Sequence, residues 1–376
     1  MEVQEIQIYM NRGEGELSYY KNSLYQKQVI SMARPIVEEA VAELLHQNLP
    51  ADYLRMADMG SSSGPSALLP LWGIIETIAS TCRRLDHQKA PPLQFFLNDL
   101  AGNDFNTVFR SLLSGFYQKL GEDHKFDKFG PCFIAAVPGS FHGRLFPDNS
   151  LHFVHSSYSL HFLSRVPEGL VSESGEALNK GNICLAETSH PSVHNAYLDQ
   201  FEKDFSSFLR SHASEVISGG RMVLTIMGRS DRNPSCKYGC EVWQLIGASL
   251  KDMVDEGKIE ESLLDSFNVP IYCPSAEVVR KLIQREGSFN IDRPEQFEVN
   301  WDVHIEDGNG DLNFDKWARG RCVSKLMRAV AESMLTSQFG AAIMDDLYHL
   351  LSFKYADCLE RGTGLCHNLV ISMAKK

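Results

Sequence analysis

Three short segments carry residues whose types and spacing could do chemistry. The first is Leu54-Arg55-Met56-Ala57-Asp58-Met59-Gly60-Ser61-Ser62-Ser63-Gly64-Pro65, an apolar run that ends in an acid and opens into two glycines separated by three serines. It reads as a buried strand turning sharply into a ligand-cradling loop. Gly60 and Gly64 let the backbone approach closely, and the serines offer small polar contacts. It is neither the GxGxxG of a dinucleotide fold nor a phosphate loop, since no lysine follows. The second segment, Gln94-Phe95-Phe96-Leu97-Asn98-Asp99-Leu100, is another apolar strand closing on an acid. At the carboxyl end of a parallel strand, where ligands bind, Asp99 would accept hydrogen bonds from both hydroxyls of a ribose. The third, Val137-Pro138-Gly139-Ser140-Phe141, is a tight turn presenting a hydroxyl and an aromatic shelf for a purine. Each has a plainer alternative: a turn without ligand, a helix-capping Asp99, a core Phe141. Three in this order favour a nucleoside ligand. No Ser-His-Asp or Cys-His constellation accompanies them.

The elements that must hold these segments alternate. Apolar spacing predicts a helix from about residue 23 to 49, strands near 54–59, 93–98, 132–137, 151–156, 182–187 and 221–227, and helices near 65–84, 104–119, 193–217 and 240–257. That order predicts an α/β doubly wound sheet. Residues 1–20 are polar and glycine-bearing, as in a flexible lid. We divide the chain into a lid and α/β core (1–230), a mostly helical cap (231–330), and a return to the core sheet (331–376) through a strand over 368–373. Gly308-Asn309-Gly310-Asp311 reads as an exposed turn; it lacks the ligand ladder of a calcium loop.

With 376 residues, 43% of them hydrophobic, the chain can bury a large core. Its net charge of −12 argues against a nucleic-acid partner, because phosphate neutralisation needs Lys and Arg. No apolar run approaches a membrane span, so no membrane partner is expected. The acidic N-terminus is neither a secretory signal nor a transit peptide. Nine scattered cysteines point to reduced thiols and a cytoplasmic location. The close pair Cys236 and Cys240 has no histidines at zinc spacing.

The acid-x-Gly-x-x-x-Gly form is one that S-adenosylmethionine (SAM) enzymes use to seat the methionine part of their cofactor. Around it stand Met10-Asn11-Arg12-Gly13-Glu14-Gly15-Glu16-Leu17-Ser18-Tyr19, Asn98-Asp99-Leu100 with Asn103-Asp104-Phe105-Asn106, Pro138-Gly139-Ser140-Phe141, Leu145-Phe146-Pro147, His155-Ser156-Ser157-Tyr158-Ser159-Leu160-His161 and Leu264-Asp265-Ser266-Phe267-Asn268-Val269-Pro270. In these motifs the chain resembles, nearly end to end, the plant SABATH methyltransferases: carboxyl methyltransferases of salicylate, benzoate and jasmonate, and caffeine-pathway N-methyltransferases. The resemblance implies a Rossmann-like SAM-binding sheet with an α-helical cap, and a homodimer. It implies cofactor contacts from Tyr19, Asp58, Ser61, Ser66, Asp99, Leu100, Ser140 and Phe141, although the family commonly has cysteine at Ser61 and asparagine at Ser66. It also implies a magnesium ion (Mg2+) near Asn179, Asp265, Phe267 and Asn268, the alternative being a loop-capping aspartate.

In the carboxyl methyltransferases, residues matching Gln26 and Phe162 (there a tryptophan) donate hydrogen bonds to the substrate carboxylate. Phe162 has no N–H, a loss of roughly 1.5–3 kcal/mol. His161 adjoins it and is either a replacement donor or a packing residue. The coffee enzymes instead use a serine and two tyrosines where Leu326, Ala331 and Cys366 stand. Tyr158, Val242, Trp243, Tyr272 and Met327 complete a greasy wall, with core packing the alternative for Trp243. No base is required, since a carboxylate is ionised at neutral pH; Gln26 and His161 position it. The expectation is a methyl ester of a small aromatic or alkaloid-like acid. The alternatives are N-methylation of a xanthine and a non-catalytic protein that binds a small acid.

Overall fold

The computed structural model describes residues 9–49, 51–86, 90–118, 131–230, 237–303 and 315–376. Seven strands form one sheet: β1 (Leu54–Met59), β2 (Leu93–Asp99), β3 (Cys132–Pro138), β4 (Leu151–Ser157), β5 (Val216–Gly228), β6 (Phe289–Asn300) and β7 (Leu365–Lys375). Their order is β3-β2-β1-β4-β5-β7-β6, with β7 antiparallel to both neighbours. Chain direction around the sheet reverses between β1 and β4, where ligands enter an open α/β sheet.

Side chains alternate between the faces. Leu54, Met56, Leu93, Phe95, Leu97, Phe153, Val223 and Val370 pack beneath the helices Leu24–Asn48 and Leu69–Arg84. Ala57, Met59, Val154, Met222, Leu224, Ile226, Leu369 and Ile371 join the opposite core. That core takes in the helices Pro191–Glu215, Glu241–Asp255, Lys316–Phe339 and Met344–Glu360. No helix among the described residues is long and apolar enough to cross a membrane.

The structure departs from the sequence expectation in four places. Residues 182–187 form no strand. Leu185 gives its carbonyl to the Cys240 thiol (3.2 Å) and the Gln244 amide (2.7 Å), while Ala186 N–H donates to the Ser189 hydroxyl (3.0 Å). Side chains thus take the backbone groups a neighbouring strand would need. Within the stretch read as a helical cap, β6 is an edge strand of the core sheet, and its charges and Pro294 disguise it. Proline and solvated charges are tolerated at an edge, where one side of the ladder is unpaired. A boundary at residue 330 falls inside the helix Lys316–Phe339.

Finally, the expected flexible lid is fastened from residue 9 onward. Asn11 reaches Ala329 O (2.8 Å) and Glu332 (2.6 Å), Ser333 reaches Tyr9 O (2.6 Å), Arg12 reaches Gly102 O (2.9 Å), and Gly13 N–H reaches Asp104 (3.2 Å). This strap ties the helix Lys316–Phe339 to the loop after β2. Residues 1–8, Cys236 and Gly308–Asp311 lie outside the described residues.

Candidate active site

At the end of β1 the chain turns through Gly60 (φ +74°). A Cβ there would lie 2.2 Å from the Ser159 hydroxyl, so only glycine fits. Gly60 and Ser61 N–H both donate to Asn98 O, at 2.9 and 2.8 Å, which hangs the turn from the end of β2. The Asp99 carboxylate accepts from Ser62 N–H (2.7 Å) and Leu100 N–H (2.8 Å). Each oxygen keeps a lone pair for a further donor. Asp58 pairs with His155 on the adjoining strand at 2.7 Å. Ser66 meets Ser23 at 3.0 Å.

Tyr19, Gln26, Lys27, Asp58, Ser61, Ser62, Ser66 and Ser157 line one cleft above these strand ends. Three of the buried oxygens around it (Gln26 Oε1, Ser61 Oγ and Ser157 Oγ) have no hydrogen-bond partner among the described residues. Buried polar atoms are ordinarily satisfied, so the cleft is built for a polar ligand. Its donors and acceptors fit the zwitterionic and diol groups of SAM.

Neighbouring Asn98 was not singled out in sequence beyond its place in a motif. Fully buried, it donates from Nδ2 to Val137 O and Gly139 O, both at 2.9 Å, and so locks the Ser140-Phe141 turn to β2. His212 and Glu215, also missed, moor the same loop. His212 Nε2 meets Phe141 O at 2.9 Å, and Glu215 accepts from Phe146 N–H at 2.8 Å. The Phe141 ring stands edge-on to Phe208, centroids 6.3 Å apart. An Asn within an apolar run before a functional acid was the one available signal; His212 and Glu215, on a polar helix end, had none.

Burial, with a smaller push from Asp58, raises the Asp99 pKa to about 6. A ligand that donates hydroxyls prefers the ionised carboxylate, and that form fades as pH falls through 6. Cofactor affinity should therefore be about tenfold weaker at pH 5 than at pH 8. Titration calorimetry with SAM across that range checks the sign.

Tyr19 and Gln26 also line a second, mostly apolar cavity shared by Tyr158, His161, Phe162, Trp243, Leu326, Met327 and Cys366. The two residues therefore mark the junction of cleft and cavity. His161 Nδ1 accepts from Met227 N–H at 3.4 Å, which assigns its proton to Nε2. Burial pushes its pKa down to about 3, so the ring is a neutral donor. Phe162 packs against His161 (4.7 Å) and edge-on to Trp243 (6.2 Å). Tyr158, in the left-handed region (φ +64°), donates to the Tyr25 hydroxyl at 2.9 Å.

Tyr272 is placed behind this wall. Its ring lies against Phe201 and its N–H donates to His161 O at 2.9 Å, so it braces His161. Ala331 is buried in the core, and Val330 takes the cavity wall beside it. Trp301, not singled out in sequence, also lines the cavity.

The four residues matched to a magnesium site are held by protein partners. Asn179 Nδ2 donates to Asn268 Oδ1 (2.8 Å), Ser189 donates to Asn179 Oδ1 (2.7 Å), and Gly181 N–H donates to Asp265 (2.9 Å). The Phe267 ring packs on Phe339. Asp265 is the one carboxylate of the set and the Asn179 and Asn268 amide oxygens are already in use, so a magnesium ion here would take the rest of its six oxygens from backbone carbonyls and water. No cluster of three His, Cys, Asp or Glu side chains suited to a metal occurs among the described residues.

A family model described as SAM dependent carboxyl methyltransferase matches residues 5–376. The chain belongs to this family. Among relatives of the methyltransferase, a probable caffeine synthase of Coffea canephora is 44% identical over 386 residues, covering 100% of this chain and 98% of its own. A salicylate carboxymethyltransferase of Clarkia breweri is 43% identical over 376 residues, covering 100% and 99%. A solved loganic acid methyltransferase with SAH superposes with a TM-score of 0.82 at 33% identity, covering 98% of both chains. This chain is thus a SAM-dependent methyltransferase with a mixed α/β fold.

Proposed function

We propose that this methyltransferase esterifies the carboxylate of a small aromatic or alkaloid-like acid. The observation that carries the reading is the junction of cleft and cavity. There Gln26 opens onto an apolar cavity whose wall also includes His161 with its proton on Nε2, so two uncharged donors line one enclosure. A carboxylate arrives ionised, so donors suffice and no base is needed. The relative that methylates salicylate fits this reading. Leu326 and Cys366, both apolar or neutral, leave no polar ring anchor where the coffee-type resemblance calls for one.

When bound, SAM supplies an activated methyl group. In this reading Asp99 holds the ribose hydroxyls, Phe141 and Ser140 shelve the adenine, and Tyr19, Asp58, Ser61, Ser66 and Leu100 frame the rest of the cofactor. Gln26 and His161 hold the acceptor carboxylate in line. Tyr158, Phe162, Trp243 and Met327 clamp its ring and exclude water, which leaves both charged partners less well solvated.

The second reading, N-methylation of a xanthine, is favoured by the 44% identity to a probable caffeine synthase. Incubation with methyl-labelled SAM and a panel of benzoate, salicylate, anthranilate, alkaloid acids and xanthines separates the two. Base-labile label on the acids is expected; label confined to xanthines overturns the carboxylate reading.

A further inference from the structure

Trp301 follows β6, the strand at the edge of the sheet, and its backbone N–H donates to Gly364 O at 2.9 Å. The indole is 4% exposed and lines the apolar cavity. Its Nε1–H has no hydrogen-bond partner among the described residues. The N–H stands beside the thiol of Cys366, another cavity-wall residue and a weak acceptor that the hydroxyls of Tyr25 and Tyr158 also approach. Burial raises that thiol's pKa to about 12, so it stays neutral and offers no charge to satisfy the indole.

The ring has little freedom. Tyr355 stands edge-on to it at 5.8 Å and is itself fixed by a 2.9 Å bond from its hydroxyl to Val242 O. A Cβ on Gly364 would lie 3.3 Å from the indole. The donor therefore cannot swing elsewhere without moving its neighbours.

We propose that Trp301 is a specificity-determining residue: its indole N–H anchors a hydrogen-bond acceptor on the substrate other than the group that is methylated. This rests on the carboxylate reading and narrows it. The substrate is an acid bearing a second acceptor: a carbonyl, ether or unprotonated ring nitrogen. An indole only donates, so a group that only donates is rejected there. A buried donor left unpaired is costly, so isosteres lacking the acceptor bind more weakly.

The test measures binding to the SAH-saturated enzyme for two matched pairs, 4-acetylbenzoate against 4-isopropylbenzoate and xanthine against hypoxanthine, in wild type, W301F and W301H. Wild type should prefer the acetyl acid by about tenfold or more. W301F should level that pair and W301H restore part of the preference, with SAH affinity unchanged. A preference that survives W301F, or its absence in wild type for both pairs, overturns the proposal. So does a uniform loss of affinity for both members and for SAH, the mark of a merely structural role. Label transfer from SAM is scored separately. Label on xanthines alone removes the carboxylate reading, and Trp301 is then judged on the xanthine pair by the same criterion.

Discussion

Asp99→Ala is expected to weaken SAM binding by more than about a hundredfold. The proposed contacts are two hydroxyl donors to one ionised carboxylate, each worth about 1.5–3 kcal/mol, so their loss amounts to about 3 kcal/mol at the least. The damage extends beyond the ligand, because the same carboxylate accepts from Ser62 and Leu100 N–H. Without it the serine turn loses one of its fastenings to β2. Asp99→Asn should fall between wild type and alanine, since it keeps an acceptor but loses the charge and presents an N–H₂ where an oxygen stood. Calorimetric titration with SAM gives the affinities, and thermal melting reports whether the variant is folded. A folded Asp99→Ala protein with unchanged SAM affinity would remove Asp99, and with it the cleft beside β1, from the cofactor site. The pH dependence predicted for wild type should also vanish in Asp99→Asn, which has nothing to titrate.

Much of this site was legible because its signals are local. A strand ending in Asp58 or Asp99, and glycines where a turn needs positive φ, are covalent facts of short segments; β1 spans Leu54–Met59, as the apolar run predicted. Signals that depend on distant partners were not legible. β6 carries Arg293, Pro294 and Glu295, and its place in the sheet follows from pairing with β7 some seventy residues later. Residues 182–187 have the apolar character of a strand, yet Cys240 and Gln244 claim Leu185 O. Tyr272 looked like pocket wall, whereas an isolated bridge between Phe162 and Ile271 turns the next residue to the rear of His161. Trp301 was missed for the converse reason: a tryptophan after a polar strand carries no local mark of a cavity on its other side.

Phe162→Trp is expected to redirect the enzyme without disabling it. The Phe162 ring lies between His161 at 4.7 Å and Trp243 at 6.2 Å, on the wall of the substrate cavity. Tryptophan there adds bulk and an N–H beside the donors Gln26 and His161. A flat acid such as salicylate or benzoate gains a donor to its carboxylate, worth about 1.5 kcal/mol or more, and its kcat/KM should rise about tenfold. A wider native substrate meets the added ring and should lose turnover by a similar factor, since overpacking a filled enclosure costs about 1–3 kcal/mol. The ratio of the two rates then swings by about a hundredfold. Affinity for SAM should stay within a few-fold, because Phe162 lines the cavity and is absent from the cleft that Asp58 and the serines frame. Steady-state kinetics on the same panel of acids and xanthines reads both factors. Equal rates across the panel in wild type and variant would mean that Phe162 only packs against Trp243, and selectivity would then rest on other lining residues such as Met327 and Trp301.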